Sequence, residues 1–293
     1  MSHLIHMRQR IKAVETIKKI TSAMRLISRS FHTKLNKQRD PLSHYQNELC
    51  TILQYVKPLC PTWAPSILGE NEITSPSRFF PTADTPKREL FIIIGSQKGL
   101  CGNFNRGIFY WIDTHRSALI NSSNTVICAG KKAEEYLTKQ AISIFRTYPE
   151  IKLSKIGLTT HEIIETFMNS RDFYTNVTVI SNSSQNFFSY KTHTRELIPF
   201  IGCAAAHNEP EHQNYIWEHN PEQVLDLLAR NILKTSLHTA IFESLHAEQS
   251  ARFISMDNAT RNANTFLDAM KLQYNKARQA KITKELTELA IYK

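Results

Sequence analysis

Residues 92–107, IIIGSQKGLCGNFNRG, combine an apolar run, a glycine-rich turn and a stretch of helical pattern. Phosphate binds well at such a place, because the backbone N–H groups at a helix start attract anions. The glycines stand at Gly95, Gly99 and Gly102, so the spacing is G-x-x-x-G-x-x-G and not the G-x-G-x-x-G of dinucleotide-binding folds. Lys98 precedes a glycine, whereas the lysine of a P-loop precedes Ser or Thr. No acidic pair, Ser/His/Asp set or Cys/His set stands near it in sequence. The turn, with Gly99, Cys101 and Gly102, therefore reads as structural, its glycines required by the backbone. No catalytic and no cofactor-binding residue is assigned.

Two histidine clusters suggest metal: His3 with His6, and His207, Glu209, Glu211 and His212. Neither comes with a third and fourth ligand at a recognised spacing, so both read as solvated surface and no metal is assigned. The five cysteines (50, 60, 101, 128, 203) form no close pair, which predicts unpaired thiols in a reducing compartment. No apolar run approaches the ~20 residues of a membrane span. The N-terminal stretch, its apolar residues interrupted by charge every few positions, has no secretory-signal pattern.

The elements that must position the turn alternate in type. ELFIII (89–94) is a buried-strand pattern, NRGIFYWIDTHRSALI reads as helix, TVICA (125–129) as strand and KKAEEYLTKQ as helix. ISIFRTY predicts a strand, THEIIETFM a helix, NVTVIS (176–181) a strand, and FFSYKTHTRELIPF an extended finish. Strands alternating with helices imply a largely parallel sheet with helices on its faces, a Rossmann-like α/β domain over residues 89–215. Residues 58–88 hold six of the eleven prolines and read as a connection.

Both ends of the chain are predicted to be long helices, over 1–57 and 220–293. The last proline is Pro221 and the last glycine Gly202, so 222–293 hold neither breaker. Asn220 and Pro221 supply a start signal. Unbroken, those 72 residues would span about 108 Å, some three times the width of a small domain. The stripe Ile11, Val14, Ile17, Ile20, Met24, Ile27, Phe31 and Leu35 has a period of about 3.4, close to that of a coiled coil. Phe253, Met256, Ala259, Ala263, Phe266, Met270, Tyr274 and Ala277 match it near the other end. The two helices are expected to wind on each other as an antiparallel pair, with alanines letting the axes approach.

The net charge of +10 is concentrated in residues 1–40, where ten Lys/Arg face only Glu15 and Asp40. A basic helix with an apolar face needs an acidic partner, a nucleic acid or an anionic membrane. Arg8, Arg10, Lys12, Lys18, Lys19 and Arg25 make up this basic face. A helical arm binding nucleic acid is the rival reading, although the interleaved aromatics of such modules are missing.

Three stretches resemble the γ subunit of the F-type ATP synthases. RQRIKAVETIKKITSAM (8–24) is similar to the family's N-terminal pattern at Arg8, Ile11, Val14, Lys19, Ile20, Thr21, Ala23 and Met24. GLCGNFN (99–105) resembles the G-L-C-G-x-x-N that follows its first strand, and residues 243–289 resemble its closing signature, ESxxxEQxAR through NKARQAxITxEL. The resemblance implies a rotor shaft that threads a hexamer of α and β subunits. Its α/β domain would lie near the ε subunit and the membrane c-ring, on the cytoplasmic face of a bacterial inner membrane. It implies no active site, no cofactor, no nucleic acid and no direct membrane insertion. Met24, Arg278, Gln279 and Thr283 match the family's contact region with the catalytic subunits. Ile282, Leu286 and Leu289 form an apolar stripe suited to a bearing around the C-terminal helix.

Overall fold

The computed structural model describes residues 2–59, 88–168, 174–198 and 220–291. The proline-rich connection, Leu289's side chain and the cluster His207–His212 lie outside them. Helix α1 runs Ser2–Val56 and helix α6 runs Pro221–Ile291. Between them come β1 Glu89–Ile94, α2 Arg106–Thr114, α3 Arg116–Ile120, β2 Thr125–Ala129, α4 Lys131–Lys139, β3 Arg146–Tyr148, α5 Ile156–Met168, β4 Asn176–Ser184 and β5 Tyr190–Ile198. The chain has two compact units. One holds Met1–His32, Leu100–Gly102 and Gln249–Lys293, the other Thr33–Gly99 and Asn103–Glu248, so each long helix is shared between them.

In the larger unit the strands are ordered β3-β2-β1-β4-β5, parallel except for β5, which runs antiparallel to β4. The apolar run 90–94 makes β1 the central strand, buried on both faces as parallel sheets require. Phe91 and Ile93 pack with Ile108, Ile112, Ala133 and Leu137 of α2 and α4. Leu90, Ile92 and Ile94 point the other way by strand alternation and are buried too. The strand expected from ISIFRTY is confined to Arg146–Tyr148, an edge strand bound to the end of β2.

The start signal of α6 holds: Asn220 Oδ1 accepts the N–H of Glu222 at 3.2 Å, and its carbonyl accepts that of Gln223 at 3.0 Å. From Leu225 to Glu248 the helix is buried nearly all round, which marks a core helix. The later part of α1 passes through Pro41 without ending, although proline deletes one ladder hydrogen bond there. Its Leu49, Leu53 and Val56 are buried, and its Gln46 accepts a hydrogen bond from Thr239 of α6 at 3.1 Å.

The smaller unit is an antiparallel helix pair. Thr260 bonds Thr21 at 2.9 Å, Arg25 bonds Asp257 at 2.7 Å, and Lys271 pairs with Glu15 at 3.3 Å, so partners fall on α6 as they rise on α1. On α6 Met256, Thr260, Ala263 and Leu267 are buried and Met270, Tyr274 and Ala277 half-buried, in alternating steps of four and three. On α1 Thr21 and Ser28 are buried and Leu4, Met7, Ile11, Val14, Lys18 and Arg25 half-buried in the same alternation.

This seam corrects the stripe read from sequence. Ile17, Ile20 and Ile27 of α1, and Phe266 of α6, are 52–67 % exposed. Two successive steps of three, Val14 to Ile17 and Ile17 to Ile20, carry the stripe one position ahead of the seam, so it starts in the seam at Ile11 and Val14 and leaves it at Ile17. Polar groups that hydrogen-bond or pair across the helices take its place. Ala263 lies in the seam and is buried, so Ala263→Leu should overpack it and lower stability by about 1–3 kcal/mol. Chemical denaturation of the isolated chain checks this; an unchanged midpoint would place residue 263 outside the contact.

Candidate interaction surface

The glycine-rich turn continues β1 at the crevice where strand order reverses, between β2 and β4, the usual ligand position of open α/β sheets. Here that position is filled from within. The buried carboxylate of Glu248 accepts the N–H of Gln97 at 3.1 Å and that of Lys98 at 3.4 Å. Phe104 is fully buried, and its carbonyl accepts the amide N–H of Asn182 at 2.7 Å. The turn therefore grips an internal anion where a phosphate would sit.

Of the glycines expected to serve the turn's backbone, Gly102 does so and Gly99 does not. Gly102 has φ +58°, and Cys101 is buried. Gly99 is not in the left-handed region; a Cβ there would meet only Cε of Lys132, at 3.9 Å. The second left-handed residue is Leu100, φ +63°, a strained choice for a branched side chain. Sequence pattern pointed to Gly99 because glycine is permitted there, and permission is not requirement.

The thiols give no nucleophile among the described residues. Cys101 and Cys128 are in no disulfide and are buried, and burial, with the charge of Glu134 second, pushes Cys128 up to about 12. Cys50 is disulfide-bonded, which corrects the expectation of unpaired thiols. No group of three His, Cys, Asp or Glu is placed to hold a metal among the described residues.

The basic face is partly corrected as well. Arg8, Arg10, Lys12 and Lys19 are exposed, but Lys18 and Arg25 are half-buried seam residues. They stand at heptad positions, where the partner helix covers their stems. Asp257 carries Arg25 on one side and Arg261 on the other, at 2.7 and 2.5 Å. The hydrogen bond from Arg25, with that from Arg261 behind it, holds the Asp257 carboxyl below its ordinary value against the opposing effect of burial. A carboxyl depressed in the fold contributes stability above its unfolded value near 3.9, and that contribution is lost as pH falls below it. The melting temperature should therefore fall more in wild type than in Asp257→Asn between about pH 5 and pH 2; equal losses would refute the pairing.

What the seam leaves uncovered is directional. Exposed Ile17 and half-buried Met24 immediately precede seam residues Lys18 and Arg25, and half-buried Ala259 and exposed Phe266 precede Thr260 and Leu267. In an antiparallel pair such positions line one common flank, to which Ile20 and Ile27 add. The Glu15–Lys271 ion pair marks the opposite flank. Towards the end of α6, Arg278, Gln279 and Thr283 are exposed, as are Ile282 and Leu286 at 47 and 62 %. Of the flank residues, Met24 alone was expected at a partner contact, from the resemblance; Ile17, Ile20, Ile27, Ala259 and Phe266 read from the sequence as the seam itself.

A family model described as ATP synthase matches residues 3–291. An ATP synthase gamma chain from Cytophaga hutchinsonii is 30 % identical over 298 residues, covering 99 % of this chain and 97 % of the relative. One from Amoebophilus asiaticus is 29 % identical over 289 residues, covering 96 % and 94 %. The fold is similar to a chain in the mitochondrial ATP synthase of Euglena gracilis (OSCP/F1/c-ring, rotational state 3). There the TM-score is 0.65 at 15 % identity, over 99 % of this chain and 93 % of that one. Through a match along almost its whole length, the chain belongs to the family of ATP synthase gamma chains.

Proposed function

We propose that this chain is the central rotor shaft of an F-type ATP synthase, turning inside the α/β hexamer and resting through its sheet domain on the ε subunit and the membrane c-ring. The observation that carries this reading is the one-sided apolar flank of the helix pair, with the exposed apolar residues near the end of α6. A shaft that bears identical contacts all round would leave three identical catalytic sites alike. A shaft with one apolar flank presents a different surface to each, and differential contact is what shifts their nucleotide affinities.

In this role the chain couples rotation to ATP synthesis or hydrolysis and carries no active site, cofactor or metal of its own. Arg8, Arg10, Lys12 and Lys19 face acidic loops of the catalytic subunits. Met24, Arg278, Gln279, Thr283, Leu286 and Leu289 contact the α/β ring. No helix among the described residues is long and apolar enough to cross a membrane; attachment to the cytoplasmic face of a bacterial inner membrane is through the complex. The rival nucleic-acid arm is weakened by the seam, which takes Lys18 and Arg25 out of the exposed basic surface.

Reconstitution tests the reading. Mixed with its α and β partners, the chain should give a stoichiometric complex with ATPase activity. Deleting Thr283–Lys293 should loosen that complex or reduce its coupling. Tight RNA binding near physiological salt, beyond the ~10⁻⁴–10⁻⁶ M of non-specific attraction, together with no complex, would sink the shaft reading.

A further inference from the structure

Glu248 presents a problem that the shaft reading does not solve. It is a carboxylate at 2 % exposure, and burying such a group is unfavourable unless hydrogen bonds replace its water. Its two oxygens reach two consecutive backbone N–H groups, those of Gln97 and Lys98. The turn that supplies them is itself held still. Gln97 donates its side-chain N–H to the carbonyl of Ile151 at 2.7 Å. Asn105 accepts the N–H of Ser96 at 2.9 Å and donates to its hydroxyl at 2.7 Å. Gly95 donates its N–H to Ala129 at 2.8 Å, joining the turn to the end of β2. The turn is thus an anion cradle on the central strand, and its occupant is a side chain of α6.

We propose that Glu248 is the clasp through which load passes between the sheet and helix α6, with the anion cradle of the 95–99 turn as its socket. The proposal rests on the shaft reading. Apolar helix–sheet contacts are non-directional and permit sliding, whereas a carboxylate bridging two N–H donors fixes position and angle together. On the sheet side the socket sits on the central strand, which has hydrogen-bonded neighbours on both edges. On the helix side, α6 continues unbroken from Glu248 to Ile291, so a force applied at the clasp enters a continuous hydrogen-bonded rod. Glu248 is a positioning residue: it touches no substrate.

The test uses the assembled complex in sealed vesicles, with ATP hydrolysis and proton uptake measured on the same preparation. Glu248→Gln keeps the volume but turns an N–H₂ group towards a backbone donor. ATP hydrolysis should persist while proton uptake per ATP falls several-fold; a merely structural loss would lower both together. Unchanged uptake per ATP overturns the proposal. A measurement on the wild-type chain guards against a variant that fails to fold. The amides of Gln97 and Lys98 should exchange with deuterium as slowly as those of β1, and about tenfold or more faster once the charge-assisted bond is gone. Fast exchange in the wild type overturns the clasp with no variant needed. A wild-type chain that protects these amides yet forms no complex with α and β would instead count against the shaft reading.

Discussion

Gly130→Ala should abolish the cooperative fold of the sheet unit or lower its stability by roughly 3–5 kcal/mol, among the largest effects of any conservative change in this chain. Gly130 ends β2 at φ +101°, ψ 128°, a conformation that residues with a Cβ rarely adopt. A Cβ there would run into the carbonyl of Gly95, at the root of the glycine-rich turn. Neither neighbour can give way easily. The N–H of Gly95 is bonded to Ala129, and that of Gly130 to the carbonyl of Tyr148 at 2.8 Å, so three parallel strands end in one tied knot. Gly157→Ala is the control. It lies in the first turn of α5, where an added Cβ would meet nothing within 4 Å, and should leave stability unchanged or raise it by up to about 1 kcal/mol. Urea midpoints for the two variants should move in opposite directions or differ by most of the wild-type stability; similar midpoints would show that the strand ends relax freely.

Ile20→Glu combined with Phe266→Glu should leave the isolated chain as stable as before, within about 0.5 kcal/mol, while weakening assembly with α and β by a factor of roughly 30 or more, on the order of 2 kcal/mol. Both residues are more than half exposed, so the fold does not depend on burying them. Both lie on the proposed contact flank, where a new carboxylate would be desolvated on assembly. Ile11→Glu gives the contrast: it alters the seam and should destabilise the helix pair itself. Titrated assembly followed by ATPase activity, beside a melting curve of the free chain, separates the two effects. If the flank variant melts early and assembles normally, the flank is structural and the contact lies elsewhere.

Much of the architecture was legible because it is local. The absence of Gly and Pro after Pro221, with Asn220 as cap, set the start of α6; the run Glu89–Ile94 set the central strand. Hydrophobic periodicity and breakers act within a few residues of chain, so a sequence displays them directly. The alternation of strand and helix likewise gave the largely parallel sheet, though β3 shrank to three residues because an edge strand keeps only the ladder its neighbour offers.

The candidate surface was less legible, because an amphipathic stripe tells that a helix has a face and not which partner the face meets. Ile17, Ile20 and Ile27 carry the strongest apolar signal of α1, and the pair leaves them outside. Thr21 and Arg25 go inside because Thr260 and Asp257 wait there with matching hydrogen bonds, and those partners lie more than 230 residues away in sequence. Long separation likewise hid the role of Glu248, whose socket is 150 residues earlier. The sequence by itself determined the two long helices, the alternation of strand and helix and the family, since each is written in local pattern or in motif. Only the tertiary structure decided which face of the helix pair is closed and which stays open, because that choice is made by pairwise complementarity between segments far apart along the chain.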